Sequence, residues 1–229
     1  MSFRHELLEP KKLPRETIEG RRYYVTPSGL HLPSVTTVLK EYYKKDFTAW
    51  RKRIGEVEAN AITHQAASRG TSLHSLCEKY MRNDEDYLKN VRPSAYADFL
   101  SVQSLLDLNV SVVMGVEFPL FSERLRTAGT ADLICTWGNQ PSIVDFKTSK
   151  RPKKEEWIED YFVQAAVYGQ MVKETYGIDT TQIIILLLIE NDIPVVFQKD
   201  IEIYKEKVDE IFISSRHDAP INGSACSNV

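Results

Sequence analysis

An α/β (α+β) fold is predicted, with a mixed central sheet flanked by helices and the core order helix, three strands, helix, strand. Three observations predict it. The hydrophobic period is 3.6 in "GTSLHSLCEKYM" and, after a loop and a second helix, changes to 2 from "VSVVMGVEFPLF" onward. A long amphipathic stretch, "EEWIEDYFVQAAVYGQMVKETYG", follows the third strand and stops at Gly177. After it comes "TQIIILLLIE", an almost unbroken apolar run that reads as a strand buried on both faces.

Taken in order, the first thirty residues are polar and turn-rich, with a hairpin expected from "RYYVT", the turn "PSG" and "LHLP". Ser34 is placed to cap a helix through "VTTVLKEYY". Residues 46–82 read as helical, with Gly70 and Thr71 marking a bend or a fresh start. Pro93 opens a second helix through "SAYADFLSVQSLLDL". "VSVVMGVEFPLF", "TADLICTW" and "IVDFK" then form an antiparallel meander, joined by turns at "SERLRTAG" and "GNQPS". "IPVVFQKD" pairs beside the apolar strand, a charged helix "IEIYKEKVDEIFISS" follows, and the tail "INGSACSNV" is expected to fray.

A chain of 229 residues suits a single domain. It divides into an N-terminal hairpin and helix (1–60), a core (61–200), and a C-terminal helix and tail (201–229). No apolar run approaches the roughly 20 residues needed to span a membrane. "MSFRHELLEP" has no apolar signal region, so the protein is expected to work where it is made. Cys77, Cys135 and Cys226 are far apart and without a C-x-x-C, which argues against a disulfide framework or a structural zinc and for a reducing, cytoplasm-like compartment.

The net charge of −3 does not advertise a polyanionic partner, but the bases are clustered. Lys147, Lys150, Arg151, Lys153 and Lys154 form one run without an acid. Lys40, Lys44, Lys45, Arg51, Lys52 and Arg53 form another against only Glu41 and Asp46. Each run is either a solvated face or a local track for phosphates.

The strand "IVDFK" raises the chemical question. Side chains alternate along a strand, so Asp145 and Lys147 point one way while Val144 and Phe146 point the other. Asp132 in "GTAD" lies on the preceding strand, and neighbouring strands are roughly 5 Å apart, so both carboxylates can face one site. Two convergent carboxylates suit Mg²⁺. Glu117, one strand earlier, is either a third acid of the site or a solvated edge residue. His74 lies on a helix with Glu78 one turn on, and could add a nitrogen ligand. Gln164 and Tyr168 share a face of the amphipathic helix, and a buried Gln164 needs polar partners.

This set resembles the PD-(D/E)xK nuclease superfamily, in particular its RecB-type exonuclease branch. The matching pieces are His74, "GTAD" with Asp132, "VDFKTS" with Asp145 and Lys147, and "QAAVYG" with Gln164 and Tyr168, across residues 65–190. "PSVTTVL", "GTSLH" and "DFKTSK" also resemble the mitochondrial genome maintenance exonucleases and their phage relatives. The acid that names the superfamily follows Ala131 here, not proline. Three cysteines cannot supply the quartet of relatives that carry an iron–sulfur cluster, so no cluster is expected.

The resemblance implies a restriction-endonuclease-like fold and a metal-dependent DNA exonuclease acting on single strands or frayed ends. His74, Asp132, Asp145 and the carbonyl of Phe146, with Glu117 as a further candidate, would hold Mg²⁺, for which Mn²⁺ could substitute. The ion would acidify a water and neutralise the scissile phosphate. Lys147 would orient that water or stabilise the transition state. Gln164 and Tyr168 would position the backbone or Lys147. Ser34, Thr36, Thr37, Trp50, Arg69, Lys150, Arg151, Lys153 and Lys154 would contact DNA. A structure-selective endonuclease on the same fold, and a DNA-binding module that does not cleave, are the alternatives.

Overall fold

The computed structural model describes residues 2–214. The predicted tail and Cys226 lie outside them. Six strands form the main sheet: β1 (Arg4–His5), β5 (Val110–Ser122), β6 (Thr127–Trp137), β7 (Gln140–Ser149), β8 (Gln182–Ile189) and β9 (Val195–Asp200), in the spatial order β1-β5-β6-β7-β8-β9. The sheet is mixed. The β5-β6-β7 meander is antiparallel, β8 runs parallel to β7, and β9 returns antiparallel on the outer edge. Parallel neighbours need a crossover, and the helix between β7 and β8 supplies it. It is α5 (Glu159–Tyr176), ending at Gly177 in the left-handed conformation.

Alternation along the strands assigns the two faces. Ile143, Ile183 and Ile185 pack with α5, with α1 (Val35–Tyr43) and with α6 (Lys205–Phe212). Val144, Phe146, Ile184, Leu186 and Leu188 pack with α3 (Glu56–Met81) and α4 (Pro93–Asn109). Every residue of β8 is buried, as its unbroken apolar run requires. The helices thus form a layer on each face, and the predicted core order is the one observed.

Several boundaries differ from expectation for identifiable reasons. No break occurs at Gly70: α3 runs unbroken from Glu56 to Met81. A helix-interior glycine costs about 1 kcal/mol relative to alanine, but α3 is held on both sides of it. Arg69 is clamped by Asp98 of α4 and by the Ser149 carbonyl, and Leu73, Leu76 and Cys77 are buried in the core. The break falls instead at Gly55 (φ 85°), which separates α3 from α2 (Thr48–Ile54).

The polar N-terminal stretch holds more strand than its composition suggested. β1 pairs parallel with β5, and the Phe3 N–H and carbonyl both bond to the Asn83 side chain. The expected hairpin is present as β3 (Arg21–Val25) and β4 (His31–Pro33), with β2 (Arg15–Ile18) added as a third strand. The turn before β7 is shorter than predicted. Gly138 and Asn139, both at positive φ, close it in two residues, so pairing starts at Gln140.

Ser34 caps α1 as expected. Its Oγ accepts from the Thr37 N–H at 3.1 Å and bonds the hydroxyls of Thr36 and Thr37. The residue is buried, so this hydroxyl serves the fold and not a surface. Ser34→Ala should therefore lower the unfolding free energy by about 1–2 kcal/mol, read as a shifted urea midpoint at unchanged slope. A neutral effect would mean that the cap adds nothing to stability.

Candidate active site

Pairing between β6 and β7 ends at the rung Leu133–Val144. Beyond it β6 stays with β5 and β7 stays with β8, so the two strands part into a fork. The next residues, Asp132 and Asp145, stand at its two sides. A strand that loses its neighbour leaves backbone groups without partners. Here side chains take over. The Phe146 N–H donates to Asp132 Oδ2 at 2.8 Å, and His74 Nε2 on α3 lies 2.8 Å from the Phe146 carbonyl. A carbonyl only accepts, so Nε2 carries the proton.

His74 Nδ1 is thereby turned toward carboxylates, 3.5 Å from Asp132 Oδ2 and 3.7 Å from Glu117 Oε1. Glu117 reaches the site through an irregular stretch of β5. Its φ is 44°, and the register shifts just before it, between Val113 and Gly115. A non-glycine residue held there carries strain of about 1–3 kcal/mol. That backbone conformation places Glu117 beside His74 and Asp132.

Asp145 and Lys147 sit on the α5 side. The carboxylate Oδ1 accepts from Gln164 Nε2 at 3.0 Å, and Oδ2 forms an ion pair with the Lys147 ammonium. Asp145 is buried, and its Oδ2 has no well-oriented hydrogen-bond donor. Val144 and Phe146 lie in the opposite core, as the alternation predicted.

The charges act on one another. Burial, then the neighbouring Asp145 charge, push Asp132 up to about 7, against the pull of His74 and Lys147. Burial opposes charge on His74, but Glu117, Asp132 and Asp145 outweigh it and raise its pKa to about 9. Burial likewise opposes the Lys147 charge, and Asp145 and Asp132 more than restore it.

This donor set can hold a divalent cation. Ligand atoms of His74, Glu117 and Asp132 all lie within 4.8 Å of one another, and Asp145, buried and ion-paired with Lys147, is close enough to raise the pKa of Asp132. Oxygen-rich donors with one imidazole suit Mg²⁺ or Mn²⁺. The Phe146 carbonyl, expected as a ligand, lies 2.8 Å from His74 Nε2, a contact that turns Nδ1 toward the acids. Glu78 turns away to Arg82.

Of the two partners expected for Tyr168, the backbone is the one it meets: its hydroxyl bonds the backbone of Thr130 on β6. Tyr168 is buried against Gly129, where a Cβ would meet its hydroxyl at 2.7 Å, and so braces β6 just before Asp132. The ring beside Lys147 is Tyr161, with the ammonium 5.0 Å from its centroid. Reading residues by type missed it, although it precedes Gln164 and Tyr168 on one stripe of α5.

The residues expected at DNA are scattered in role. Arg69 is engaged bidentately by Asp98, which makes it a clamp between α3 and α4. Lys150 reaches Gln65, Lys153 reaches the Tyr161 hydroxyl, and Lys154 faces Glu156 and Trp157. Arg151 is exposed. Trp50 is half-buried, edge-on to the exposed Phe47. Thr36 is exposed and Thr37 half-buried, beside the buried Ser34.

The family model of the PD-(D/E)XK nuclease superfamily matches residues 37–212. Mitochondrial genome maintenance exonuclease 1 of Homo sapiens is 28% identical over an alignment 133 positions long that covers 53% of this chain. The match spans 38% of that protein's length. A crystal structure from Eubacterium rectale, described as a candidate exonuclease, aligns over 70% of this chain and 77% of its own, at 12% identity and a TM-score of 0.39.

A cation takes an unprotonated imidazole and carboxylates, so it must displace the proton from His74. Mn²⁺ affinity should therefore rise with pH from about 7, where Asp132 titrates, toward about 9, where His74 does, and then level off. Calorimetric titration at a series of pH values measures this. A flat profile would remove His74 from the ligands.

Proposed function

From the premise that the chain belongs to the PD-(D/E)XK nuclease superfamily, we propose that it is a divalent-metal-dependent DNA exonuclease, acting on single strands or single-stranded ends. The observation that carries this reading is the fork itself. It brings His74, Glu117 and Asp132 together beside the Asp145–Lys147 pair. The exonuclease activity is supported by the relative that bears that name.

His74, Glu117, Asp132 and Asp145 would hold the cation. Bound there, Mg²⁺ or Mn²⁺ supplies Lewis-acid neutralisation of the phosphate and a more acidic water. The remaining work falls to the chain. Gln164 keeps Asp145 turned toward the fork. Lys147, charged at neutral pH, faces the phosphate and stabilises negative charge developing on its oxygens as water attacks. Phe146 and Val144 anchor the strand that carries both groups.

Preference for single strands is supported by α2. This helix buries none of its residues, carries Arg51, Lys52 and Arg53 in its last turn, and follows the exposed Phe47. Bases with exposed aromatics grip phosphates and stack on bases without reading sequence. Cys77 and Cys135 are buried free thiols, which supports work in a reducing compartment. The described residues would act as one nuclease domain, the N-terminal elements contributing to grip.

End-labelled single strands, duplexes and covalently closed single-stranded circles, incubated with Mg²⁺, Mn²⁺ or EDTA, test the reading. Linear single strands should be shortened with either metal, and circles should survive. Cut circles would establish the endonuclease alternative, and tight binding without cleavage the non-cleaving one.

Lys147→Ala should lose on the order of 100- to 1,000-fold in turnover, measured at a temperature where its melting curve shows it folded. Near-normal turnover would take lysine out of the mechanism. For His74→Ala the metal concentration needed for half-maximal activity should rise, with partial rescue by excess Mn²⁺. A loss that follows melting temperature and not metal would make His74 a packing residue.

A further inference from the structure

Lysine ammoniums from three separate segments converge on the Tyr161 ring. Lys147 comes from β7, Lys153 from the loop after it, and Lys45 from the link between α1 and α2. They lie 5.0, 5.1 and 5.6 Å from the ring centroid. Two of the three are balanced: Lys147 by Asp145, and Lys45 by Asp160 at 2.6 Å. Lys153 has no carboxylate partner among the described residues, and its hydrogen bond goes to the Tyr161 hydroxyl at 2.9 Å.

A lone lysine on a tyrosine edge is ordinary surface chemistry. Three cations gathered at one half-buried ring are not, because like charges in partly desolvated surroundings repel. The arrangement is held in place from several sides. The Tyr43 hydroxyl donates to Glu159 at 3.0 Å, so the α1–α2 link is tied to the first turn of α5 at two points. Tyr161 belongs to that same turn. The convergence of the three ammoniums is thus built into the fold, and Lys153, without a carboxylate partner among the described residues, adjoins the lysine that would face the reacting phosphate.

We propose that Lys45, Lys153 and Tyr161 form a subsite for a second, non-reacting phosphodiester of the bound strand, next to the one that Lys147 faces. This rests on the nuclease reading and deepens it. The Lys153 ammonium, paired only with a hydroxyl, identifies the ligand as an anion. The shared ring with Lys147 makes a neighbouring phosphate of the same strand the anion that can reach both. Held there, the strand would be registered before the chemistry, so this subsite would govern which bond meets Lys147.

The test uses the full chain and a labelled oligonucleotide series, each member carrying one neutral methylphosphonate at a different position. Affinity is measured in EDTA across a salt series, with the strands checked for integrity, and cleavage is measured separately with Mn²⁺. Lys153→Gln should weaken binding several-fold and lower the slope of log affinity against log salt by about one. For the wild type, one methylphosphonate position beside the cleaved bond should be costly. In Lys153→Gln that same position should fall silent while the others keep their cost.

Tyr161→Phe keeps the ring and removes the hydroxyl that holds Lys153, so it should give a weaker version of the same profile. An unchanged salt slope, or a methylphosphonate profile identical to that of the wild type, would overturn the subsite. If the wild type cuts no strand, the nuclease reading fails, and the binding comparison still decides the subsite.

Discussion

The hydrogen bond from the Phe146 N–H to the Asp132 carboxylate is the point on which the site turns. Two antiparallel strands have to part if a catalytic group is to enter between them, and parting leaves backbone donors without acceptors. Asp132 supplies the acceptor that β6 no longer offers. The same contact aims its carboxylate into the fork and leaves a gap through which His74 crosses from the α3 side. The Phe146 carbonyl then orients the imidazole. One missing rung of the sheet therefore brings groups from both faces to one place.

Keeping them there is an electrostatic and a packing problem. Three carboxylates in a confined space repel, and His74 and Lys147 offset them. Neither cation is left to find its own position, since His74 is held by Phe146 and Lys147 by Asp145. Asp145 is held in turn by Gln164. That places the burden on α5, whose seating depends on two glycines. A Cβ on Gly129 would meet the Tyr168 hydroxyl at 2.7 Å, and one on Gly169 would meet Ile201 at 2.1 Å. Close approach, and not turn formation, is what these glycines provide.

Much of this was legible in the chain. Periodicity is a local property, so the order of helices and strands, the cap at Ser34, the stop at Gly177 and the opposed faces of Val144 and Asp145 could all be read directly. The closeness of Asp132 to Asp145 followed from strand spacing. What could not be read depends on contacts between distant segments. Gly70 looked like a break because the clamp of Arg69 on Asp98 is invisible locally. Arg69 and Ser34 looked like surface ligands because their partners lie elsewhere or their burial is tertiary. Glu117 stayed ambiguous because its entry depends on an irregular β5, and Tyr161 was passed over because an aromatic at helical spacing usually means core.

The burial of β8 has a consequence for how the chain is made. Its eight residues, Gln182–Ile189, are apolar after the first and contain no charge, proline or glycine, the composition of a segment that self-associates when exposed. On one side it pairs parallel with β7, which requires α5 to be in place, and on the other with β9, which leaves the ribosome after it. During synthesis the strand is therefore bare on its β9 flank until residue 200 has emerged. The stickiest segment among the described residues has its last shield supplied by a half-exposed edge strand, and the interval between the two is where a nascent-chain chaperone would matter most.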